Sequence, residues 1–257
     1  MKYKLYEVGG KIRDELIGLK SKDVDYAVVL DINDWKNVPM EEVFNSFVEQ
    51  IESEGFVVFK KDADVVTVRA KFPQSHKYSG DADFVISRKE LYYPEGSRRP
   101  VCELGTLEDD LLRRDFTLNA LAKGEDGKII DLYNGTADLM EGILCTPADP
   151  YKSFRDDPLR IIRGMRFCIT KDFVFGRDVR NAIREIGIKG LDKVSKERIA
   201  VELDKCFAHS TPDTLSYLYY MKKHLNFDII NYAFDGTGLR LTTLMKKVKK
   251  QNNGKTN

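Results

Sequence analysis

Four short segments carry residues whose types and spacing suit phosphate and metal chemistry. The first is Gly9-Gly10-Lys11-Ile12-Arg13-Asp14, followed by Asp23-Val24-Asp25. Residues 4–8 read as a strand ending at the glycine pair, and residues 11–18 as one or two helical turns. Glycines let a backbone approach a phosphate closely, the N–H groups that open a helix favour anions, and Arg13 adds a planar donor fork. Alone, Gly-Gly is an ordinary turn. The pair Asp23-x-Asp25 changes that reading. Residues two apart on a strand project to one side, so both carboxylates can face shared divalent cations, with substrate phosphate oxygens completing the coordination. The second segment, Asp81-Ala82-Asp83, precedes the apolar stretch Phe84-Val85-Ile86. There Asp83 is the candidate third carboxylate and Asp81 reads as a loop residue.

The third segment runs from Asp109 to Ala120 as DDLLRRDFTLNA. The pattern predicts a helix over residues 108–122, which places Asp115 and Asn119 four apart on one face. Arg114 stands beside them. A guanidinium next to an acceptor and an amide suits a triphosphate with its ribose hydroxyls, although such a helix can also carry plain surface ion pairs. The fourth segment is Asp156-Asp157-Pro158-Leu159-Arg160-Ile161-Ile162-Arg163-Gly164-Met165-Arg166-Phe167. Pro158 fits a first helical turn, and apolar Ile161, Ile162, Met165, Cys168 and Ile169 share one arc. The other arc offers Asp157, Arg160, Arg163 and Arg166. A pure acceptor beside pure donors can read the edge of a nucleic-acid base; a solvated charged face is the alternative.

These segments need elements to position them. Over the first hundred residues, strand-length runs (26–30, 56–59, 65–70, 82–87) alternate with short helical stretches such as 40–54. Residues 88–104 read as a flexible loop. Beyond, helical periodicity dominates over 159–169, 178–186, 196–207 and 214–223. The fold class is α+β, then all-α, with a proline-rich joint at 147–150. The expected division is 1–148, 149–239 and a basic tail, 240–257, which has six Lys or Arg and no acid and serves as a flexible end or a phosphate contact.

Composition narrows the function class without naming it. The net charge of +1 is neutral on nucleic acid. No apolar run approaches the roughly 18 residues that span a bilayer, and the N-terminus lacks the apolar core of a signal peptide, so a cytoplasmic protein is expected. Cys102, Cys145, Cys168 and Cys206 are scattered, with His76, His209 and His224 near none of them. That excludes a zinc-finger spacing and a disulfide framework and leaves free thiols.

Taken in order, from about Tyr6 to Phe167, the segments resemble the class II tRNA nucleotidyltransferase and poly(A) polymerase family. The Gly-Gly-x-x-Arg-Asp…Asp-x-Asp pattern is similar to its metal and triphosphate motif, and Arg113 to Ala120 to its ribose-selecting motif. Asp131-Leu132-Tyr133-Asn134-Gly135…Asp138-Leu139 resembles its hinge. The Asp157–Phe167 helix resembles the protein template for the incoming base, and Ser195 to Leu203 a further neck helix. The resemblance implies a polymerase-β-like nucleotidyltransferase head, a mixed sheet with helices, followed by a helical neck. It implies Asp23 and Asp25 on two Mg²⁺ ions, with Asp83 as general base or metal contact. Gly9, Gly10, Arg13 and Arg114 would bind triphosphate, and Asp115 and Asn119 the ribose. Asp157 and Arg160 would select CTP then ATP, with Arg163 and Arg166 completing the pocket. The implied activity adds C, C and A to the 3′ end of tRNA and releases pyrophosphate. Poly(A), CC-only or A-only addition, and a non-catalytic RNA-binding module, are the rival readings. Asp156 stands where the family usually has Glu, and about ninety residues follow Phe167 where family members usually continue into body and tail domains.

Overall fold

The structure is a computed structural model of the 257-residue chain, in which residues 1–21, 23–94 and 100–234 are described. The described residues divide into two compact units, residues 1–141 with 146–148, and residues 142–145 with 149–234. The basic stretch 240–257 lies outside the described residues.

In chain order the first unit contains β1 (Tyr3–Val8), α1 (Gly10–Leu16), β2 (Asp25–Leu30), α2 (Met40–Ser53), β3 (Val57–Asp62), β4 (Thr67–Lys71), β5 (Asp81–Ile86), β6 (Arg88–Tyr92), β7 (Val101–Leu104), α3 (Leu107–Leu112), β8 (Leu121–Lys123), β9 (Ile129–Asp131) and α4 (Gly135–Glu141). Seven strands form one mixed sheet in the order β3-β4-β5-β2-β1-β8-β9. The β2–β5 pair is parallel and its neighbours are antiparallel.

Period-2 alternation decides what each face meets. Leu5, Tyr26, Val28, Val68, Phe84 and Ile86 point to one face and pack against Val43, Phe44, Phe47 and Ile51 of α2. That helix forms because its apolar residues recur at helical spacing, with Glu41 and Glu42 in the first turn. It stops before Gly55, whose φ of 88° suits glycine. Phe47 is fully buried, and its truncation to Ala is expected to cost about 3–5 kcal/mol. On the opposite face a smaller cluster, Val8, Ala27, Leu111, Ala120 and Ala122, closes under α3.

The second unit contains β10 (Ile143–Leu144), α5 (Pro150–Asp156), α6 (Leu159–Lys171), β11 (Val174–Phe175), α7 (Arg177–Ile186), α8 (Lys196–His209), α9 (Thr211–Leu225) and α10 (Ile229–Phe234). Asp149 caps α5 by accepting from Tyr151 and Lys152 N–H, with Pro150 at the first position. Ile161, Ile162, Met165 and Cys168 of α6 are buried, as their spacing predicts.

Four expectations are corrected. Asp81, read as a loop residue, opens strand β5 and pairs with Lys71 of β4. The helix expected over residues 108–122 ends at Leu112. Residues 117–119 form a 3-10 turn, and Leu121–Lys123 become strand β8. Pairing of β8 with the edge of β1 completes the sheet and outweighs local helical periodicity. The segment 88–104, read as a loop, contains β6 and β7, which pair antiparallel. Residues 95–99 of that segment lie outside the described residues. Finally, Asp157 precedes helix α6 rather than riding on it, because Pro158 occupies the cap position.

Candidate active site

Asp25 and Asp83 stand directly across from each other on β2 and β5. Parallel neighbours lie about 4.8 Å apart. The adjoining Tyr26 and Phe84 belong to the α2 core, so both carboxylates leave the sheet on the opposite face. Asp23 lies two residues before Asp25, outside the strand and exposed. Burial pushes the Asp25 carboxyl above the usual range; Arg114 pulls it back, while the charges of Asp83 and Asp23 push it up further. A partly buried carboxylate surrounded by like charge is a site that a hard cation would relieve. Among the described residues no three His, Cys, Asp or Glu side chains already converge as a metal cage.

Gly9 has φ 79° and ψ −136°, a backbone region that side chains avoid. A Cβ placed there would lie 2.9 Å from Arg114 Nη1 and 3.8 Å from Asp25 Oδ2. Guanidinium, carboxylate and bare backbone therefore meet at this corner, where α1 begins. Gly10 opens that helix, and a Cβ on it would sit 3.3 Å from Arg13 Nη2.

Arg114 is held from behind. Its Nη2 and Nε donate to Asp110 Oδ2 at 2.8 and 3.2 Å, and Nη1 donates to the Asn119 carbonyl at 3.3 Å. Arg113 donates to the other oxygen of Asp110. Asp110 is fully buried; burial raises its carboxyl, but the two guanidiniums outweigh that and hold it below the usual carboxylate range. Asp110 was missed as a functional residue. The available signal was an acid three and four residues before two arginines on a helix.

Arg13, Asp115 and Asn119 also come together, though not on a helix face. Arg13 Nη1 donates to Asn119 Oδ1 at 2.6 Å, and Asn119 Nδ2 donates to Asp115 Oδ1 at 2.8 Å. The same Asp115 oxygen accepts the Phe116 N–H at 2.9 Å. Arg13 also donates to Asp14. All three side chains of this relay are buried, so Arg13 braces the turn that carries Asp115 and Asn119 rather than projecting into solvent. Nearby, Asp131 accepts from the Tyr133, Gly135 and Thr136 N–H groups and starts α4. Burial raises its carboxyl, but those donors outweigh that and lower it overall.

In the second unit Asp157, Arg160 and Arg166, expected to read the base, are each held by a neighbouring element. Asp157 accepts from Arg198 Nη2 of α8 at 3.3 Å and from the Leu159 N–H at 3.2 Å. Arg160 Nη1 donates to Ser153 Oγ of α5 at 2.7 Å. Arg166 Nε donates to Glu202 Oε2 of α8 at 2.6 Å and its guanidinium lies 4.7 Å from the Phe167 ring centre. Arg163 is half-buried on the same helix. Burial raises Glu202, but Lys205 and Arg166 bring it below its ordinary value. Arg198 and Glu202 lie in the segment that resembles a further neck helix, and Ser153 lies outside every motif; only contacts between helices reveal what the three hold.

The poly(A) polymerase head-domain family model matches residues 5–145, just over half of the chain. The chain belongs to that family. Within the poly(A) polymerase head match lie Gly9, Gly10, Arg13, Asp23, Asp25, Asp83, Arg114, Asp115 and Asn119, while Asp157, Arg160, Arg163 and Arg166 follow it. The chain is 36% identical over 210 residues to the tRNA nucleotidyltransferase cca2 of Schizosaccharomyces pombe, covering 77% of this chain and 42% of that protein. It is 36% identical over 205 residues to the CCA-adding enzyme of Lactococcus lactis, covering 79% and 46%. The chain thus spans under half the length of these curated relatives. The Bacillus stearothermophilus CCA-adding enzyme, crystallised in complex with CTP, superposes with a TM-score of 0.67 at 27% identity, over 88% of this chain and 49% of that one. The Thermotoga maritima CCA-adding enzyme complexed with tRNA gives 0.67 at 26% identity, over 98% and 53%. Among the described residues no helix is long and apolar enough to cross a membrane.

Proposed function

We propose that this protein adds nucleotides to the 3′ end of tRNA, building C, C and A from CTP and ATP with release of pyrophosphate. The single observation that carries the proposal is the in-register pair Asp25 and Asp83, facing one way beside the Gly9 corner where Arg114 converges. Similarity to CCA-adding enzymes supports the choice of acceptor and nucleotides.

The residues divide the work. Asp23 and Asp25, with Asp83 beside them, form the anionic side of the site and would hold two Mg²⁺ ions. Such ions supply charge neutralisation on the triphosphate and a lowered pKa for an attacking hydroxyl. Asp83 faces the 3′-hydroxyl and takes up or steers its proton. Arg114, fixed by Asp110, meets the triphosphate as it passes the bare backbone at Gly9 and Gly10. Asp115 and Asn119, braced by Arg13, set the shape of the ribose turn. Asp157 and Arg160 read the base, with Arg163 and Arg166 lining the same helix. Catalysis by such a site is mostly positioning and electrostatics.

The test offers purified protein tRNA ending at the discriminator base, in CC or in CCA, with labelled CTP and ATP. Sequenced products should extend the first two to CCA and leave the third unchanged. A ladder of A residues would overturn CCA addition in favour of poly(A) synthesis, and no incorporation at all would overturn the enzymatic reading.

A further inference from the structure

The carboxylate row continues beyond Asp83 into a basic surface that the reaction described above does not use. Lys60, Arg69, Asp83 and Asp25 are successive register partners across β3, β4, β5 and β2. At about 4.8 Å per strand, Lys60 starts about 14 Å from Asp25. Lys71 stands two residues along β4 from Arg69 on the same face, opposite Asp81. All three cationic residues are exposed. Arg69 meets Asp83 at 3.2 Å. Elsewhere in this unit Lys61 is neutralised by Glu52 and Lys77 by Glu125, but Lys60 and Lys71 make no ion pair among the described residues.

An exposed aromatic accompanies the cations. The register slips between Val58 and Lys60, so Phe59 is the extra residue of a β-bulge, and its side chain is 54% exposed. Bulges re-aim side chains, and an exposed apolar ring on an edge strand is a liability that needs a use. Phosphate-binding cations beside a solvent-facing ring are the chemistry of single-stranded nucleic-acid recognition, where bases stack and the backbone is neutralised.

We propose that the outer face of β3 and β4 is the landing surface for the single-stranded 3′ end of the acceptor RNA, with Phe59 stacking a base and Lys60 and Lys71 meeting phosphates. Arg69 bridges this surface to Asp83, so the strand is led onto the carboxylates. The inference rests on the proposed RNA-extending function for its ligand but is read out by binding.

The test measures the affinity of a tRNA ending in CC, across a salt series, for the full chain and four variants. Phe59→Ala should weaken RNA binding about 5- to 100-fold, with Phe59→Tyr restoring it. Lys60→Ala with Lys71→Ala should flatten the dependence of log affinity on log salt by about 1.4, two single-strand phosphate contacts. Lys128→Ala, 84% exposed at the other edge of the sheet, should change neither. Directly measured CTP affinity and the melting temperature should stay constant throughout. Unchanged RNA affinity and salt slope would overturn the inference, as would a loss confined to CTP binding. If the parent chain binds RNA but incorporates nothing, the enzymatic reading falls while this surface stands or falls on the binding data.

Discussion

Asp110 and Arg114 lie four residues apart across the end of α3, and the fully buried carboxylate holds the guanidinium at 2.8 Å while its other oxygen takes Arg113. The arginine that meets Asp25 at the Gly9 corner is therefore set in place from inside the fold.

Removing that anchor should be felt in both stability and binding. Asp110→Ala leaves two guanidiniums without their buried partner and is expected to cost about 3–5 kcal/mol in urea unfolding at neutral pH. Because the folded Asp110 carboxyl titrates lower than in the unfolded chain, its contribution is present above about pH 4 and fades as pH falls through its depressed value. The stability gap between the parent chain and Asp110→Asn should accordingly narrow on acidification.

Substitution at Gly9 tests the corner itself. Gly9→Ala must adopt φ 79° and places a methyl 2.9 Å from Arg114 Nη1. The backbone strain is expected to cost about 1–3 kcal/mol, and displacement of the guanidinium should weaken CTP and ATP binding together. Calorimetric titration of both nucleotides checks this; a loss for one nucleotide alone would contradict it.

Base choice should reside in the second unit. Arg160→Ala should relax the preference between CTP and ATP without altering divalent-cation binding. Ser153→Ala, which removes a 2.7 Å hydrogen bond to Arg160, should shift the preference by about fivefold, less than Arg160→Ala does. Competition between the two labelled nucleotides reads both effects.

Much of this arrangement was legible because it is local. The glycine turn, the strand that Asp25 opens and the apolar arc of α6 follow from spacings of two and of three to four residues, and the structure shows those elements within a residue or two of their expected limits. Asp23, expected to share the strand of Asp25, lies outside it. What depends on distant partners was not legible. Nothing in Leu121–Lys123 announces a strand until the free edge of β1 is there to pair with it. Asp115 and Asn119 meet through a side-chain bond across a 3-10 turn, not through helical spacing. The positioning of Arg166 by Glu202 and of Asp157 by Arg198 joins residues 36 and 41 apart, a relation no local period encodes.

Function and stability should oppose each other at Asp25. Burial and the neighbouring Asp83 and Asp23 raise its carboxyl, so the ionised form is disfavoured in the cation-free fold. Asp25→Asn should therefore raise the melting temperature in a chelating buffer, and added Mg²⁺ should stabilise the parent chain but not this variant.

The most direct test of the central claim is Mn²⁺ binding in the presence of CTP, followed by electron paramagnetic resonance, with nucleotide incorporation into tRNA measured on the same samples. Asp25→Ala should lose the bound Mn²⁺ signal and at least about a hundredfold in incorporation while CTP affinity persists. An Asp25→Ala protein that binds Mn²⁺ as before and extends tRNA at a near-normal rate would contradict the account.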